Sequence, residues 1–155
     1  MRQTPQKSSP EQAWSDLALD KRFRLSIDGK DLGPFTVCEG LACTVEVGEY
    51  AEGGNSEFSW YLPKGIKYPP IILSRPVQPG VQKTVGWITS VMREKKRVTG
   101  EIAALRADGE VLARWGLLNV MPVSWNGPHF DIDSPRTAME SVEIVHHGFF
   151  EPGGR

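Results

Sequence analysis

Apolar and polar side chains alternate with a period of two near the start of the chain. Phe23, Leu25 and Ile27 occupy every second position, and polar residues stand between them. Successive side chains of a β-strand point to opposite faces of its sheet, so this pattern predicts a half-buried strand. Asp28-Gly29 follows, and this pair predicts a turn because glycine adopts positive φ without steric cost.

A second pair of alternating segments predicts a hairpin. Residues 43–51 place Val45 and Val47 on one face of a strand, and residues 58–62 place their apolar side chains on one side of a returning strand. The double glycine at 53–54 lies between them, with polar neighbours that are typical of a flexible turn. We therefore predict that these two strands pair with each other.

One segment shows helical periodicity. After a short apolar run at 71–73, which predicts a strand, residues 82–94 carry apolar side chains at intervals of three and four. This spacing predicts a helix with one apolar stripe, formed by Val85, Ile88, Val91 and Met92. Four basic residues then cluster between positions 93 and 97. We interpret them as a helix end, where each positive charge stabilises the helix by roughly 0.3–1 kcal/mol, and not as a nucleic-acid patch.

The last third of the chain predicts a central hairpin and a closing strand. Residues 98–106 and 110–120 are apolar over much of their length and flank Asp108-Gly109, a strong hairpin signal. Residues 137–147 predict the final strand. The sequence therefore predicts a mainly β fold, an antiparallel β-barrel or sandwich with one packed α-helix.

Composition fits a single folded domain. The chain has 155 residues, of which 39% are hydrophobic and 24% charged, so it can bury a core of its own. We divide it into a flexible N-terminal arm at 1–19, a β domain at 20–150 and a short flexible C-terminus at 151–155. Its net charge is -1, with both signs spread along the chain, which argues against a dedicated nucleic-acid binder. The polar N-terminus does not have the pattern of a signal peptide, and no apolar run approaches the roughly 20 residues of a membrane span, so we expect the protein to be made in the cytoplasm.

Residues able to carry chemistry form no recognised catalytic pattern. The motifs of serine hydrolases, zinc proteases, phosphate-binding loops and dinucleotide-binding folds are absent from the sequence. Cys38 and Cys43 are expected to be buried free thiols, with a disulfide or a metal pair as alternatives. His146 and His147 would point to opposite faces of a strand, which is a poor arrangement for binding one metal. We expect that the protein has no catalytic site, no cofactor and no metal, and that it is not an enzyme.

The sequence leaves two alternative functions open, an enzyme and a ligand-binding barrel. An enzyme would have to gather His129, Asp131, Asp133 and a cysteine in one cleft with perturbed pKa values. A small ligand-binding barrel would hold an apolar molecule in its interior and would show a large internal cavity.

Aromatic content and strand edges indicate a surface for assembly. Five Trp, six Phe and three Tyr residues provide more aromatic area than a short core readily hides, so some are expected at contacts with partners. The candidates are the hairpin around residues 53–54 and the segment through Tyr61, Leu62, Pro63 and Tyr68; local packing beneath a long loop is the alternative. A sheet that does not close must also cover its edges or pair them with a neighbour.

Several separated motifs resemble one protein family in their order and spacing. They are PheThrValCysGluGlyLeu at 35–41, the segments at 45–55 and 62–71, Arg114-Trp115, and the segments at 119–128 and 138–148. Together they resemble the tube protein family of contractile phage tails and related contractile injection systems. The resemblance covers residues 22–149, most of the chain.

The resemblance implies a fold also seen in the tube protein of type VI secretion, and a structural function. Six subunits would close into a ring, rings would stack, and their sheets would line a channel for DNA or protein cargo, with sheath and baseplate or spike proteins as partners. The family's glycine-bearing hairpin and the loop after it contribute to contacts between rings. The residues that we expect at this assembly interface are Gly40, Leu41, Tyr50, Gly53, Gly54, Asn55, Tyr61, Leu62, Pro63 and Tyr68.

Three features depart from the family pattern. The family often reads Leu-Pro-Gly where this chain has Leu62-Pro63-Lys64-Gly65, and Arg-Gly where it has Arg75-Pro76. The polar arm before Asp20 is also longer than a tube subunit usually needs. These departures keep open a specialised paralogue, such as the tube initiator at the baseplate.

Overall fold

The computed structural model describes residues 22–54, 58–79, 81–133 and 136–153. The expected N-terminal arm and Asn55 lie outside the described residues. The described part of the chain forms the following strands and helix in order: β1 Arg22–Ile27, β2 Lys30–Phe35, β3 Val37–Glu39, β4 Thr44–Tyr50, β5 Trp60–Lys67, β6 Ile71–Pro76, α1 Val81–Glu94, β7 Val98–Leu105, β8 Val111–Asn126, β9 Met139–Val145 and β10 Phe149–Phe150.

One long strand organises the main sheet. The strands follow the order β2-β1-β7-β8-β9-β6-β3, with β10 added to β8, and all pairs are antiparallel. β8 pairs with β7 from Val111 to Val120 and with β9 from Met121 to Asn126, so two half-sheets meet along it. The predicted mainly β, antiparallel fold with a packed helix is confirmed. The predicted central hairpin is the pair β7 and β8, and the turn at Gly109 has a φ of 88°.

The core lies between the two half-sheets. Leu25 in β1 and Leu117 in β8 come from one half, Leu73 in β6 and Ile144 in β9 come from the other, and each has 0% of its surface exposed. Because the inward positions of both halves are apolar, the half-sheets pack face to face around a shared interior. The alternation that predicted β1 is therefore correct.

A buried arginine connects the two half-sheets through an ion pair in one half and a hydrogen bond to β2 in the other. Arg75 in β6 pairs with Glu140 in β9, and the two side chains are 2% and 1% exposed. The Arg75 guanidinium also donates to the backbone oxygen of Leu32 in β2 at 2.9 Å and to Thr84 Oγ1 in α1 at 3.2 Å. Trp125 in β8 donates its indole N–H to Glu140 Oε2 at 3.2 Å. One arginine thus connects β2, β6, β9 and α1.

The buried face of α1 differs from the predicted stripe. Met92 is 69% exposed and Val85 is 37% exposed, whereas Thr84 is 1% exposed and Val91 is 8% exposed. Trp87 and Ile88 pack against the core beside them. The helix is confirmed, and Ile88 and Val91 of the predicted stripe face inward, whereas Val85 and Met92 do not. Thr84 is buried as a partner of the arginine described above.

Both described cysteines are free, but only one is partly buried. Cys38 lies half-buried in β3, whereas Cys43 is exposed just before β4. Burial raises the pKa of the Cys38 thiol to about 11, and the neighbouring Glu39 carboxylate adds to the shift. The expectation of two buried thiols is therefore wrong for Cys43.

Candidate assembly surface

The strands β4 and β5 form a hairpin that is separate from the main sheet. They pair with each other from Thr44↔Lys67 to Tyr50↔Trp60 and, within the described residues, with no other strand. The predicted hairpin is therefore confirmed. Every residue of the two strands except Gly48 is exposed. Because β4 has seven residues and each adds about 3.4 Å, the hairpin is roughly 24 Å long.

Both faces of this hairpin carry exposed apolar side chains. Seven large ones are between 49% and 65% exposed: Val45, Val47, Tyr50, Trp60, Tyr61, Leu62 and Ile66. The cross-strand pairs alternate between faces, so Val45↔Ile66 and Glu49↔Tyr61 lie on one side, and Gly48↔Leu62 and Tyr50↔Trp60 on the other. A strand pair in a monomeric protein normally covers one face with a core and turns polar groups to water. This hairpin does neither, which is typical of a surface completed by another chain.

The hairpin contains an irregularity at the position where the sequence departs from the pattern of the family that it resembles. Glu46 pairs with Gly65 and Val47 with Pro63, so Lys64 is the extra residue of a β-bulge. The Lys64 side chain crosses Gly48, where a Cβ would approach its Cε to 2.5 Å. The additional residue in Leu62-Pro63-Lys64-Gly65 is thus absorbed locally, and the pairing resumes on both sides.

The predicted assembly residues fall into three places. Tyr50, Tyr61, Leu62 and Pro63 are exposed on the hairpin, and Gly53 and Gly54 lie in its turn, with nothing within 4 Å of either added Cβ. Gly40 and Leu41 precede β4 at the base of the hairpin. A Cβ on Gly40 would lie 2.0 Å from the Pro70 oxygen, and Leu41 packs against the core.

Tyr68 belongs to an aromatic cluster of its own chain. Its ring lies 5.1 Å from that of His146 and 5.6 Å from that of Phe149, and His146 lies 4.7 Å from Phe149. His146 is 5% exposed, and Gly148 donates its N–H to His146 Nδ1 at 3.2 Å. Burial lowers the pKa of His146; the contact of Nδ1 with the Gly148 backbone oxygen at 3.1 Å opposes this shift, and His147 adds to it. Tyr68 therefore anchors the end of the hairpin to the main body.

The exposed apolar residues Val45, Val47, Trp60 and Ile66 were not among the predicted assembly residues. The strand pattern of Val45, Val47 and Trp60 was recognised, but it gave no sign that the strands would lack a covering layer, and Ile66 was not predicted to lie in a strand. The signal in the sequence is that apolar residues occupy both faces of the pair and no helix pattern adjoins them.

Only some of the residues considered as possible catalytic or metal-binding groups lie close together. His129 and Asp131 line a surface depression of about 460 Å³ with Arg136, whereas neither Asp133 nor either cysteine lines it. His146 is buried and His147 exposed, so the two point apart as predicted. Across the described ranges, no three His, Cys, Asp or Glu side chains are grouped to hold a metal ion. The described helix is also too short and polar to cross a bilayer.

The fold is shared with chains from contractile injection particles. A chain of the extracellular contractile injection system PVC sheath-tube complex in its extended state superposes with a TM-score of 0.73 at 23% identity, covering 93% of this chain and 97% of the other. A chain of the anti-feeding prophage cap, described as a tube-terminating cap, gives 0.67 at 25% identity with 83% and 86% coverage. A chain of the sixfold-symmetrised anti-feeding prophage baseplate gives 0.66 at 19% identity with 96% of both chains covered.

These likenesses show a shared fold, and the class of protein follows from a family match. Residues 20–150 match the family described as T4-like virus tail tube protein gp19, so the chain belongs to that family. The resemblance carried by the separated motifs is thereby confirmed. Among curated proteins no match is found.

Proposed function

We propose that six copies of this chain form a ring and that rings stack into the inner tube of a contractile injection particle, a conduit for DNA or protein cargo. The observation that carries the proposal is the β4–β5 hairpin. Among the described residues its strands pair with no other strand, and the apolar side chains on both of its faces are exposed. The similar structures come from a sheath-tube complex, a cap and a sixfold baseplate, and they support such assemblies. Sheath and baseplate proteins are the partners that follow from them.

The energetics favour association through the hairpin. Burying the exposed half of a large apolar side chain contributes about 1 kcal/mol, so seven such side chains contribute several kcal/mol before the cost of ordering is subtracted. We assign the predicted assembly residues to this contact: Tyr50, Tyr61, Leu62 and Pro63 on the faces, Gly53 and Gly54 in the turn, and Gly40, Leu41 and Tyr68 in holding its base. Asn55, outside the described residues, stays part of the same prediction. The mechanism is structural, and no side chain has to make or break a bond.

The test compares assembly of the parent chain with that of two matched variants. Leu62→Asp puts a charge on the hairpin, and Met92→Asp puts the same charge on α1, where the side chain is 69% exposed. Negative-stain electron microscopy and sedimentation should show rings and stacked tubes for the parent and Met92→Asp, and their loss for Leu62→Asp. A parent chain that stays monomeric at high concentration, even beside its sheath and baseplate proteins, would refute the proposal.

A second candidate, the tube initiator at the baseplate, is favoured by the bulge at Lys64. The extra residue lies inside the hairpin proposed to join rings, where a specialised neighbour would require a different surface. Labelling this subunit in assembled particles discriminates the two, because a main subunit repeats along the shaft and an initiator occurs at one end. Deleting Lys64 should shift the chain towards self-stacking if it is an initiator.

A further inference from the structure

The connection that follows β8 presents two apolar side chains to solvent. Phe130 is 74% exposed and Ile132 is 100% exposed. Asp131 Oδ1 accepts the N–H of Asp133 at 3.0 Å, a local turn that holds Ile132 at the outside of the chain. The segment therefore alternates apolar and acidic groups, and its isoleucine has none of its surface covered by its own chain.

A groove of about 470 Å³ lies between α1 and the hairpin of β1 and β2. Ile27, Leu32 and Trp87 give it apolar walls, and Lys30 and Lys83 add positive charge. Asp31 in the lining pairs with Arg24 at 3.4 Å, so its charge is compensated. Among the described residues, neither lysine forms an ion pair. The groove is thus apolar and basic, the complement of the exposed segment.

The segment and the groove are separate surfaces of the described chain. The groove is lined by residues of β1, β2 and α1. Asp131 lines a different depression, whose lining residues all lie between Gly127 and Met139. A copy therefore presents the segment and the groove at two different places. Contacts of this head-to-tail kind close into a ring when each copy is rotated about a common axis.

We propose that residues 130–133 of one copy dock into this groove of the next copy in the same ring. The inference rests on the proposed function, because it names a contact within the ring. Phe130 and Ile132 enter against the apolar walls, and the two aspartates face the lysines. The hairpin would join one ring to the next, and this segment would join neighbours within a ring, so the two surfaces act independently.

Disulfide trapping tests the contact directly. In a Cys38→Ala, Cys43→Ser background, Ile132→Cys is combined with Ser90→Cys, since Ser90 lines the groove. Oxidation of assembled rings should give a ladder of covalent multimers on a non-reducing gel. The matched control pairs Ile132→Cys with Met92→Cys, because Met92 is exposed on the same helix and does not line the groove. Rings that form without a ladder, or with the same ladder in the control, overturn the contact alone.

Other occupants give different products in the same experiment. A monomer with an internal disulfide would show that the segment folds onto its own groove, and it would overturn the proposal. Failure of the background chain to form rings by electron microscopy would overturn the proposed function as well. The failures of the two proposals are therefore distinguishable.

Charge reversal provides an independent readout. Lys30→Glu with Lys83→Glu should raise the concentration needed for ring formation roughly tenfold or more and make it less sensitive to salt. Adding Asp131→Lys and Asp133→Lys should restore assembly. All four side chains are exposed, so monomer unfolding should be nearly unchanged. Assembly that is unaffected by the first pair, or not restored by the second, contradicts the docking.

Discussion

Arg75 should be one of the largest single contributors to the stability of the folded subunit. Replacing it by Met keeps most of the side-chain volume but leaves Glu140 buried and without its cation. Removing one partner of a buried ion pair costs about 3–5 kcal/mol, and Leu32 would also lose its hydrogen-bond donor. We expect Arg75→Met to lower the free energy of unfolding by this amount.

The measurement is urea unfolding followed by fluorescence, with a thermal melt beside it. For a chain of this length each kcal/mol lowers the melting temperature by about 2–4 °C, so the variant should melt roughly 10 °C or more below the parent. Arg24→Met is the matched control. Arg24 pairs with Asp31 at 3.4 Å, but both side chains are about half exposed, so its loss should cost no more than about 1 kcal/mol.

A double-mutant cycle isolates the pair from its surroundings. Arg75→Met with Glu140→Leu removes both charges, and the combined loss should be smaller than the sum of the single losses because no unpaired charge is left buried. If Arg75→Met destabilises the chain no more than Arg24→Met, or if the two single losses simply add, Arg75 and Glu140 are not a coupled pair that stabilises the subunit.

Three further predictions follow from single residues. Gly40→Ala should cost about 1–3 kcal/mol of unfolding free energy, since its φ is 88° and its Cβ would clash with Pro70, whereas Gly53→Ala has open space and should be nearly neutral. The lowered pKa of His146 means that the unfolded chain binds a proton at a higher pH than the folded chain does. Stability should therefore be full above about pH 6.5 and decrease below it. His146→Phe should weaken this loss in urea unfolding at several pH values. A thiol reagent at mild alkaline pH should label Cys43 rapidly and Cys38 slowly, and Cys43→Ser should abolish the fast phase; equal rates would contradict the burial of Cys38.

Strong local patterns made part of the fold predictable. The period of two in β1, and the Asp-Gly turn between β7 and β8, depend on neighbours in sequence and were correct. β2 was not predicted because Gly33 and Pro34 interrupt it, yet Leu32 and Phe35 are 4% and 1% exposed. Its strand form comes from pairing with β1 and from the arginine that binds its backbone oxygens, which are long-range effects.

The exposure of the β4–β5 hairpin was not predicted, although several of its residues were named as assembly candidates. A strand that packs on the core of its own chain and a strand that packs against another chain can have the same apolar alternation. The pattern of Val45 and Val47 therefore gave no indication that they are exposed. The Arg75–Glu140 pair was equally invisible, because its partners are 65 positions apart in sequence. Asp131 and Asp133 were considered only as members of a possible catalytic cleft, and the fully exposed isoleucine between them was overlooked.

The strand that both half-sheets share also determines how the subunit can come apart. The first part of β8 pairs with β7 and the second part pairs with β9. Neither half-sheet can therefore open without disturbing a strand that also belongs to the other half. Amide hydrogen exchange should therefore report one cooperative unit across β1, β7, β8, β9 and β6, while the amides of β4 and β5 exchange at far lower cost in the isolated subunit.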